Sequence, residues 1–200
     1  MQLFVTGTDT DCGKTIVSAI LCEALKAAYW KPVQTGSANR DANTVEQLVS
    51  YSISIFPETY LLKEPASPHH AAALEGKEVS LSAFVLPELD NHLVVEGAGG
   101  VLVPLNESGD FVIDIAQRFA LEVVLVIRLR LGCINHTLLS IRELTRRNVP
   151  IKGLVFNGQD SFGAISVITE LSKLPVLLHI EQEETITPEV VKKYASRVHL

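Results

Sequence analysis

Nine residues near the start of the chain have the clearest chemical purpose. Gly7-Thr8-Asp9-Thr10-Asp11-Cys12-Gly13-Lys14-Thr15 joins an apolar run, Leu3 to Thr6, to a segment of helical period. A strand, a glycine-bounded turn and a helix opening on Lys-Thr form the context of a phosphate loop. Glycine lets backbone N–H groups close around phosphate oxygens, and the helix N-terminus adds the positive end of its dipole. Lys14 is placed to reach the β- and γ-phosphates of a nucleotide, and the Thr15 hydroxyl to join a Mg2+ shell. Five residues separate Gly7 from Gly13, one more than the usual loop carries. Such loops serve kinases, switches, motors and ligases alike, so the motif gives a nucleotide and leaves the reaction open.

Other residues narrow that choice. Asp9 and Asp11 put two negative charges beside a polyphosphate site, which makes sense if metal ions or substrate ammonium groups also sit there. For Asp9, capping the turn is an equal reading. Lys31, at the end of a short strand and followed by Pro32-Val33-Gln34-Thr35-Gly36-Ser37, can point into the same crevice, because open α/β sheets bind ligands at the carboxyl ends of their strands. Asp41 opens the next helical segment, as an N-cap or as a metal ligand. Glu96 ends the apolar run Leu93-Val94-Val95 and precedes Gly97-Ala98-Gly99-Gly100. A carboxylate there is the second metal contact of a phosphate-loop protein, a position normally held by Asp.

Leu131-Gly132-Cys133-Ile134-Asn135-His136 begins another helix after a strand, where small residues can bind a carboxylate through backbone N–H groups or simply pack. Asn157 ends a later strand and suits either a purine edge or a turn. Cys12 reads as loop filler, since no base lies near it in sequence, and His69-His70 as loop packing, for want of further spaced ligands.

Holding these residues together requires strands and helices in alternation. Apolar runs at Leu3–Thr6, Leu93–Val95, Val123–Ile127, Gly153–Phe156 and Val176–His179 read as strands buried on both faces. Helical periodicity covers Lys14–Ala28 and stretches near 41–50, 79–86, 110–120, 134–147, 161–173 and 187–195. Pro57, Pro65 and Pro68 leave 56–76 as the least regular segment. The expected fold is α/β: one doubly wound domain spanning residues 1–200, with a mainly parallel sheet flanked by helices, of phosphate-loop NTPase type.

Composition agrees. The 200 residues are 47% hydrophobic and 20% charged, enough apolar material for a large core, and 17 Lys+Arg against 23 Asp+Glu give a net charge of −6. An acidic chain lacks the footprint of nonspecific nucleic-acid or anionic-membrane binding. Three cysteines without a CxxC pair fit a reducing compartment. The N-terminus lacks the pattern of a secretory signal, and no stretch approaches the roughly 18 apolar residues of a membrane span. A soluble, cytoplasmic protein is expected.

Taken together, the motifs resemble the dethiobiotin synthetase family of ATP-dependent ligases. The matching pieces are Val5-Thr6-Gly7-Thr8-Asp9-Thr10 with Gly13-Lys14-Thr15, then Lys31-Pro32-Val33, Val95-Glu96-Gly97-Ala98-Gly99-Gly100 and Leu131-Gly132-Cys133-Ile134-Asn135-His136. They occur in the family's order and reach from near the start of the chain to Asn157. The lengthened phosphate loop is itself a family trait. The last forty or so residues match poorly.

The resemblance implies a chemistry. A diamine, 7,8-diaminopelargonic acid, captures CO2 as a carbamate, the carbamate is phosphorylated by ATP to a carbamic–phosphoric anhydride, and the second amine closes the ureido ring. It implies Lys14 and Lys31 as the catalytic cations, with Mg2+ on Thr15, Asp41 and Glu96. ATP would meet Asp11, Cys12, Gly13, Lys14, Thr15, Ile16, Glu96, Gly97, Ala98, Gly99 and Asn157. Thr10 and Thr35 (Ser in many relatives) would take the carbamate end of the substrate. Gly132, Cys133, Ile134 and Asn135 would take its distant carboxylate across a homodimer interface. Where relatives carry an Ile-Pro loop against the purine, this chain has His179-Ile180-Glu181-Gln182-Glu183, so weak discrimination among bases is expected. Arg130 stands where a lysine is common, which keeps the charge with a different donor geometry. Two other classes share these motifs: a related ring- or amide-forming enzyme, and a partition-type nucleotide switch. The switch often carries an extra lysine early in the loop, which Gly7-Thr8-Asp9 lacks.

Overall fold

Apolar residues at consecutive positions need cover on both faces, and the chain supplies it with helices. A computed structural model describes Met1 to Leu200. Its centre is β1 (Gln2–Gly7), which pairs in parallel with β6 (Leu93–Gly100) on one side and β7 (Glu122–Arg128) on the other. Outward from β6 lie β2 (Ala28–Trp30) and β4 (Ile55–Phe56), and outward from β7 lie β8 (Ile151–Asn157) and β9 (Val176–Ile180). All seven strands run in parallel. A separate parallel pair joins β3 (Val33–Thr35) to β5 (Tyr60–Leu62).

The side chains of the sheet alternate between two cores. Leu3, Val5, Tyr29, Val94 and Val124 face α1 (Lys14–Leu25), α2 (Asp41–Leu48) and α7 (Pro188–Ala195). Phe4, Trp30, Val95, Val123 and Leu125 face the other way. There they meet α3 (Pro68–Leu74), α4 (Val112–Arg118), α5 (Cys133–Arg146) and α6 (Ala164–Ser172). The chain leaves β1 toward β2 on one side and later fills β7 to β9 on the other. The crevice at the carboxyl end of β1 is therefore the switch point where such sheets bind ligands.

Three local expectations differ from the structure. The first helix stops at Leu25 rather than Ala28. Lys26 turns left-handed (φ +52°) and sends its N–H to the Cys22 carbonyl, freeing Ala28 to begin β2. The segment 79–86 holds only a 3-10 turn at Leu81–Ala83; Phe84 is buried, while Leu81 from that turn and Leu86 from irregular backbone pack against the core. Its apolar spacing comes from a strap that lies on the core, and Pro87 closes any helical continuation. Residues 56–76, read as irregular, contain β5 and α3. Pro68 starts α3 from its first turn, where a missing N–H costs nothing.

Candidate active site

The phosphate loop lies between β1 and α1 as its residue types require. Gly13 is the N-cap of α1 with φ +97°, a conformation that suits glycine, and Val17 N–H already bonds the Gly13 carbonyl. An Asn157 amide N–H from the end of β8 donates to the Cys12 carbonyl at 3.0 Å, and a Cβ on Gly13 would fall 2.4 Å from that nitrogen. The loop is thus clamped from the neighbouring strand. Lys14 Nζ folds back to the Asp9 carbonyl at 3.2 Å. Cys12 is fully buried, and burial pushes its thiol up despite the pull of Lys14, as suits a packing residue.

Glu96 and Lys31 form the second half. In the pairing of β2 with β6, Tyr29 faces Val94 and Trp30 faces Val95, and continuing that register sets Lys31 level with Glu96. Lys31 Nζ lies 3.0 Å from Glu96 Oε1 and 2.5 Å from Asp41 Oδ2. Lys31 is 4% exposed and Glu96 1%, so this is an interior ion cluster. Burial acts to strip the ammonium of its proton, but Glu96 and Asp41 outweigh it and hold the lysine above its ordinary value. Asp41 is not an N-cap. Arg40 holds that position, the Asp41 N–H donates to Gln34 Oε1 at 3.0 Å, and the carboxylate turns inward. Arg40 is paired in turn with Glu58.

The Thr15 hydroxyl lies 3.0 Å from Asp41 Oδ1 and 3.0 Å from Glu96 Oε1. One O–H hydrogen cannot serve both carboxylates at once. With Lys31 charged, the cluster of two carboxylates and one ammonium still carries a net negative charge. An all-oxygen donor set that is short of positive charge suits a hard cation such as Mg2+. No group of three or more His, Cys, Asp or Glu gathers anywhere in the chain, so any ion here would draw its remaining ligands from phosphate and water. Tyr29 completes the cluster: its phenol donates to Glu96 Oε2 at 2.9 Å, and burial, reinforced by Glu96 and Asp41, pushes that phenol well above its ordinary value.

Thr10, Asp11, Gly13, Lys14, Thr15 and Ile16 line one wall of a cleft of about 990 Å³, with Lys31, Thr35, Asp41, Glu96, Ala98 and Gly99 around it. The expected residues therefore converge, with exceptions that include Cys12 and Asn157, neither of which lines the cleft. Gly97 faces away, packed within 3.0 Å of the Phe4 ring by the measure of an added Cβ. Gly132, Ile134 and Asn135 lie outside this cleft at the start of α5, with Gly132 and Asn135 exposed. Cys133 joins Asp9, Arg128, Arg130 and His136 around an adjacent hollow of about 210 Å³. There Arg130 pairs with Asp9, whose Oδ1 also accepts the Thr10 N–H, so Asp9 serves the turn and an ion pair together. His69 and His70 sit in the first turn of α3, without a metal-ligand arrangement.

Sequence reasoning passed over Tyr29, Gln34 and the far wall of the cleft, which Lys63 and 65–68 supply. Tyr29 lies within an apolar stretch and carries no local signal. The short strand ending at Lys31 could have pointed to it, since residues two apart on a strand share a face.

Comparison with known proteins decides the family. A family model described as an AAA domain matches residues 1–190. The ATP-dependent dethiobiotin synthetase BioD of Cytophaga hutchinsonii is 51% identical over 199 residues, covering 98% of this chain and 96% of that protein. The chain belongs to the dethiobiotin synthetase family. A second family member, from Paramagnetospirillum magneticum, is 45% identical over 185 residues and covers 88% of this chain and 89% of its own length. Among solved structures, the cell division ATPase MinD of Pyrococcus furiosus superposes with a TM-score of 0.62, covering 98% of this chain and 97% of its own. At 14% identity that likeness extends to the phosphate-loop fold and not to what MinD does. No helix in this dethiobiotin synthetase family member is long and apolar enough to cross a membrane.

Proposed function

We propose that this chain is an ATP- and Mg2+-dependent ligase, working as a single domain over residues 1–200, that makes dethiobiotin for biotin biosynthesis from 7,8-diaminopelargonic acid and CO2. One amine takes up CO2 and loses a proton to give a carbamate. A carbamate oxygen attacks the γ-phosphorus of ATP and ADP leaves. The second amine attacks the carbonyl carbon of the resulting anhydride, phosphate departs, and the five-membered ring closes. The observation that carries this reading is the buried Lys31 ammonium, set between Asp41 and Glu96 in the same cleft as Lys14. A second cation so placed can turn to an anionic substrate opposite the triphosphate.

The work asked of the protein is alignment and charge neutralisation. Lys14 leaves the Asp9 carbonyl for the β- and γ-phosphate oxygens, while the backbone from Asp11 through Ile16 closes around the phosphates and Ala98 and Gly99 approach through their backbone. Lys31 turns to the carbamate and the transferring phosphoryl group. Thr10 and Thr35 offer hydroxyls to the carbamate end. Thr15, Asp41 and Glu96 would hold Mg2+, which when bound supplies positive charge to the phosphate oxygens. Asn157 uses one amide hydrogen on Cys12 and keeps a second hydrogen and its oxygen for the purine.

A homodimer belongs to the same proposal. Its support is that Gly132, Ile134 and Asn135 lie outside their own chain's cleft while neighbouring Leu131 and Leu139 are 84% and 56% exposed. In this arrangement each chain offers the start of α5 to its partner's substrate carboxylate. Three free, buried cysteines support a cytoplasmic setting. The deciding assay measures phosphate release with ATP, Mg2+, bicarbonate and the diamine. Release that requires the diamine is expected, and release indifferent to its omission would sink the ligase reading.

A further inference from the structure

We propose that Tyr29 is a positioning residue for this reaction: its phenol holds Glu96 in place when the Lys31 ammonium leaves that carboxylate for the substrate. The inference rests on the roles given above to Lys31 and Glu96.

Glu96 receives donors from three separate parts of the fold. Oε1 is shared by Lys31 Nζ and Thr15 Oγ1, both at 3.0 Å, and Oε2 takes the Tyr29 hydroxyl alone at 2.9 Å. The first two partners are not constant. Thr15 also faces Asp41, and Lys31 must release both carboxylates to reach a carbamate or a phosphoryl group. A buried carboxylate tends to follow a departing cation, because nothing else compensates its charge as well. Tyr29 opposes that movement because it cannot move itself. Its ring is fully buried between the sheet and α1, on the same face as Val94 and two residues before Lys31. The residue directly across from it, Val94, is apolar and offers the hydroxyl no other partner. With the carboxylate plane fixed through Oε2, Oε1 stays aimed at the Thr15 hydroxyl and the cation position beside it. Outer partners of this kind typically govern metal affinity or activity by about 10- to 100-fold.

The test uses the full chain in four forms: Tyr29→Phe, Glu96→Gln, the double variant, and Tyr51→Phe. Phenylalanine keeps the ring volume at Tyr29 and removes only the donor. The control, Tyr51, spends its hydroxyl on the backbone carbonyls of Cys22 and Ala27, away from the cleft. ATP binding is measured by calorimetry in EDTA and in Mg2+, alongside turnover and melting temperature. Tyr29→Phe should bind metal-free ATP as the wild type does. Its gain in ATP affinity on adding Mg2+ should fall about tenfold, and kcat by a similar factor, with KM for the diamine unmoved. Glu96→Gln should lose the gain, and adding Tyr29→Phe to it should remove nothing more, the non-additivity expected of residues acting through one group. Tyr51→Phe should lose thermal stability and keep the full Mg2+ gain. If Tyr29→Phe behaves like Tyr51→Phe, Tyr29 is a core residue only. If Glu96→Gln itself leaves the Mg2+ gain intact, the role given to Glu96 fails first and takes the inference with it.

Discussion

Lys31 Nζ lies 3.0 Å from Glu96 Oε1, with both side chains withdrawn from solvent, Lys31 just past the end of β2 and Glu96 on the adjacent parallel strand β6. The two residues are 65 positions apart in sequence, and β2 and β6 bring them level. Their pairing keeps a lysine charged inside the protein, beside the phosphate loop. Each partner makes the other's burial tolerable.

Replacing Lys31 by alanine separates its catalytic part from its structural part. Turnover should fall by at least the roughly 10²- to 10³-fold lost when one transition-state donor is removed. ATP affinity, read by calorimetry, should stay close to wild type, because Lys31 lies outside the phosphate loop. The variant also leaves Glu96 buried without its ammonium. The stability loss should sit at the low end of the about 3–5 kcal/mol typical of broken buried pairs, since the Asp41 side chain is 29% exposed and can be solvated. Mg2+ should then raise the melting temperature of Lys31→Ala more than that of the wild type. Loss of ATP binding in this variant would show that Lys31 belongs to the nucleotide site.

Gly13 offers a sharper test of the loop. Its φ of +97° disfavours any side chain, and a Cβ would lie 2.4 Å from Asn157 Nδ2. Gly13→Ala should weaken ATP binding strongly, as two separate strains act on the same backbone N–H groups. Adding Asn157→Ala removes the clash and leaves the dihedral strain, a cost of roughly 1–2 kcal/mol. Because Asn157 also clamps the loop and is assigned to the purine, the double variant is referred to Asn157→Ala alone, and Gly13→Ala should cost less affinity in that background than in the wild type. No cost at all there would mean that contact with Asn157, and not backbone conformation, sets the glycine requirement.

What the sequence made legible and what it hid follow from the range of the forces involved. The phosphate loop and Glu96 were readable because a turn's conformation is local, encoded by glycines, and a lone carboxylate in an apolar run stands out; that β6 continues past Glu96 to Gly100 was not readable. The helix at Pro68–Leu74 was hidden because proline breaks a helix interior yet favours its first turn, and sequence alone did not say which position Pro68 holds. The strap at 79–86 shows the converse, apolar spacing of helical period set by a core that the segment merely crosses. Tyr29 and Gln34 were missed because their partners, Glu96 Oε2 and the Asp41 N–H, exist only once β2, β3 and β6 are assembled.

Acid should loosen the joint between α4 and α5. Hydrogen bonds from Arg146 and Arg147 hold the Glu143 carboxyl down at about 2, against an ordinary 4.5. Arg147 also pairs with Asp114 at 2.5 Å, so Glu143 helps fix an arginine that ties the two helices together. A carboxyl lowered in the folded state contributes its stability above the unfolded value, and loses it as pH falls from about 4.5 toward 2. Glu143→Gln should therefore melt about 1–3 °C below the wild type at pH 7, as suits a half-buried pair at the protein surface in a chain of this size. The gap should close as pH approaches 2. A gap that widens in acid would mean that Glu143 is stabilised chiefly in its protonated form.

The proposed homodimer makes a quantitative prediction, because it places Lys31 and Asn135 of one site on different chains. Lys31→Ala and Asn135→Ala homodimers should each be nearly inactive, since each spoils both of its sites. Random exchange of subunits gives a heterodimer in about half of the molecules. In each heterodimer one site carries both lesions, while the other joins the intact Lys31 of one chain to the intact Asn135 of its partner. Mixing the two inactive proteins under exchanging conditions should restore about a quarter of wild-type turnover. If Asn135 instead served the cleft of its own chain, both sites of the heterodimer would be damaged and mixing would restore nothing. The same null result would follow from a monomer, which light scattering separates at once. Recovered activity near one quarter therefore requires both an assembled dimer and a substrate site shared between its chains.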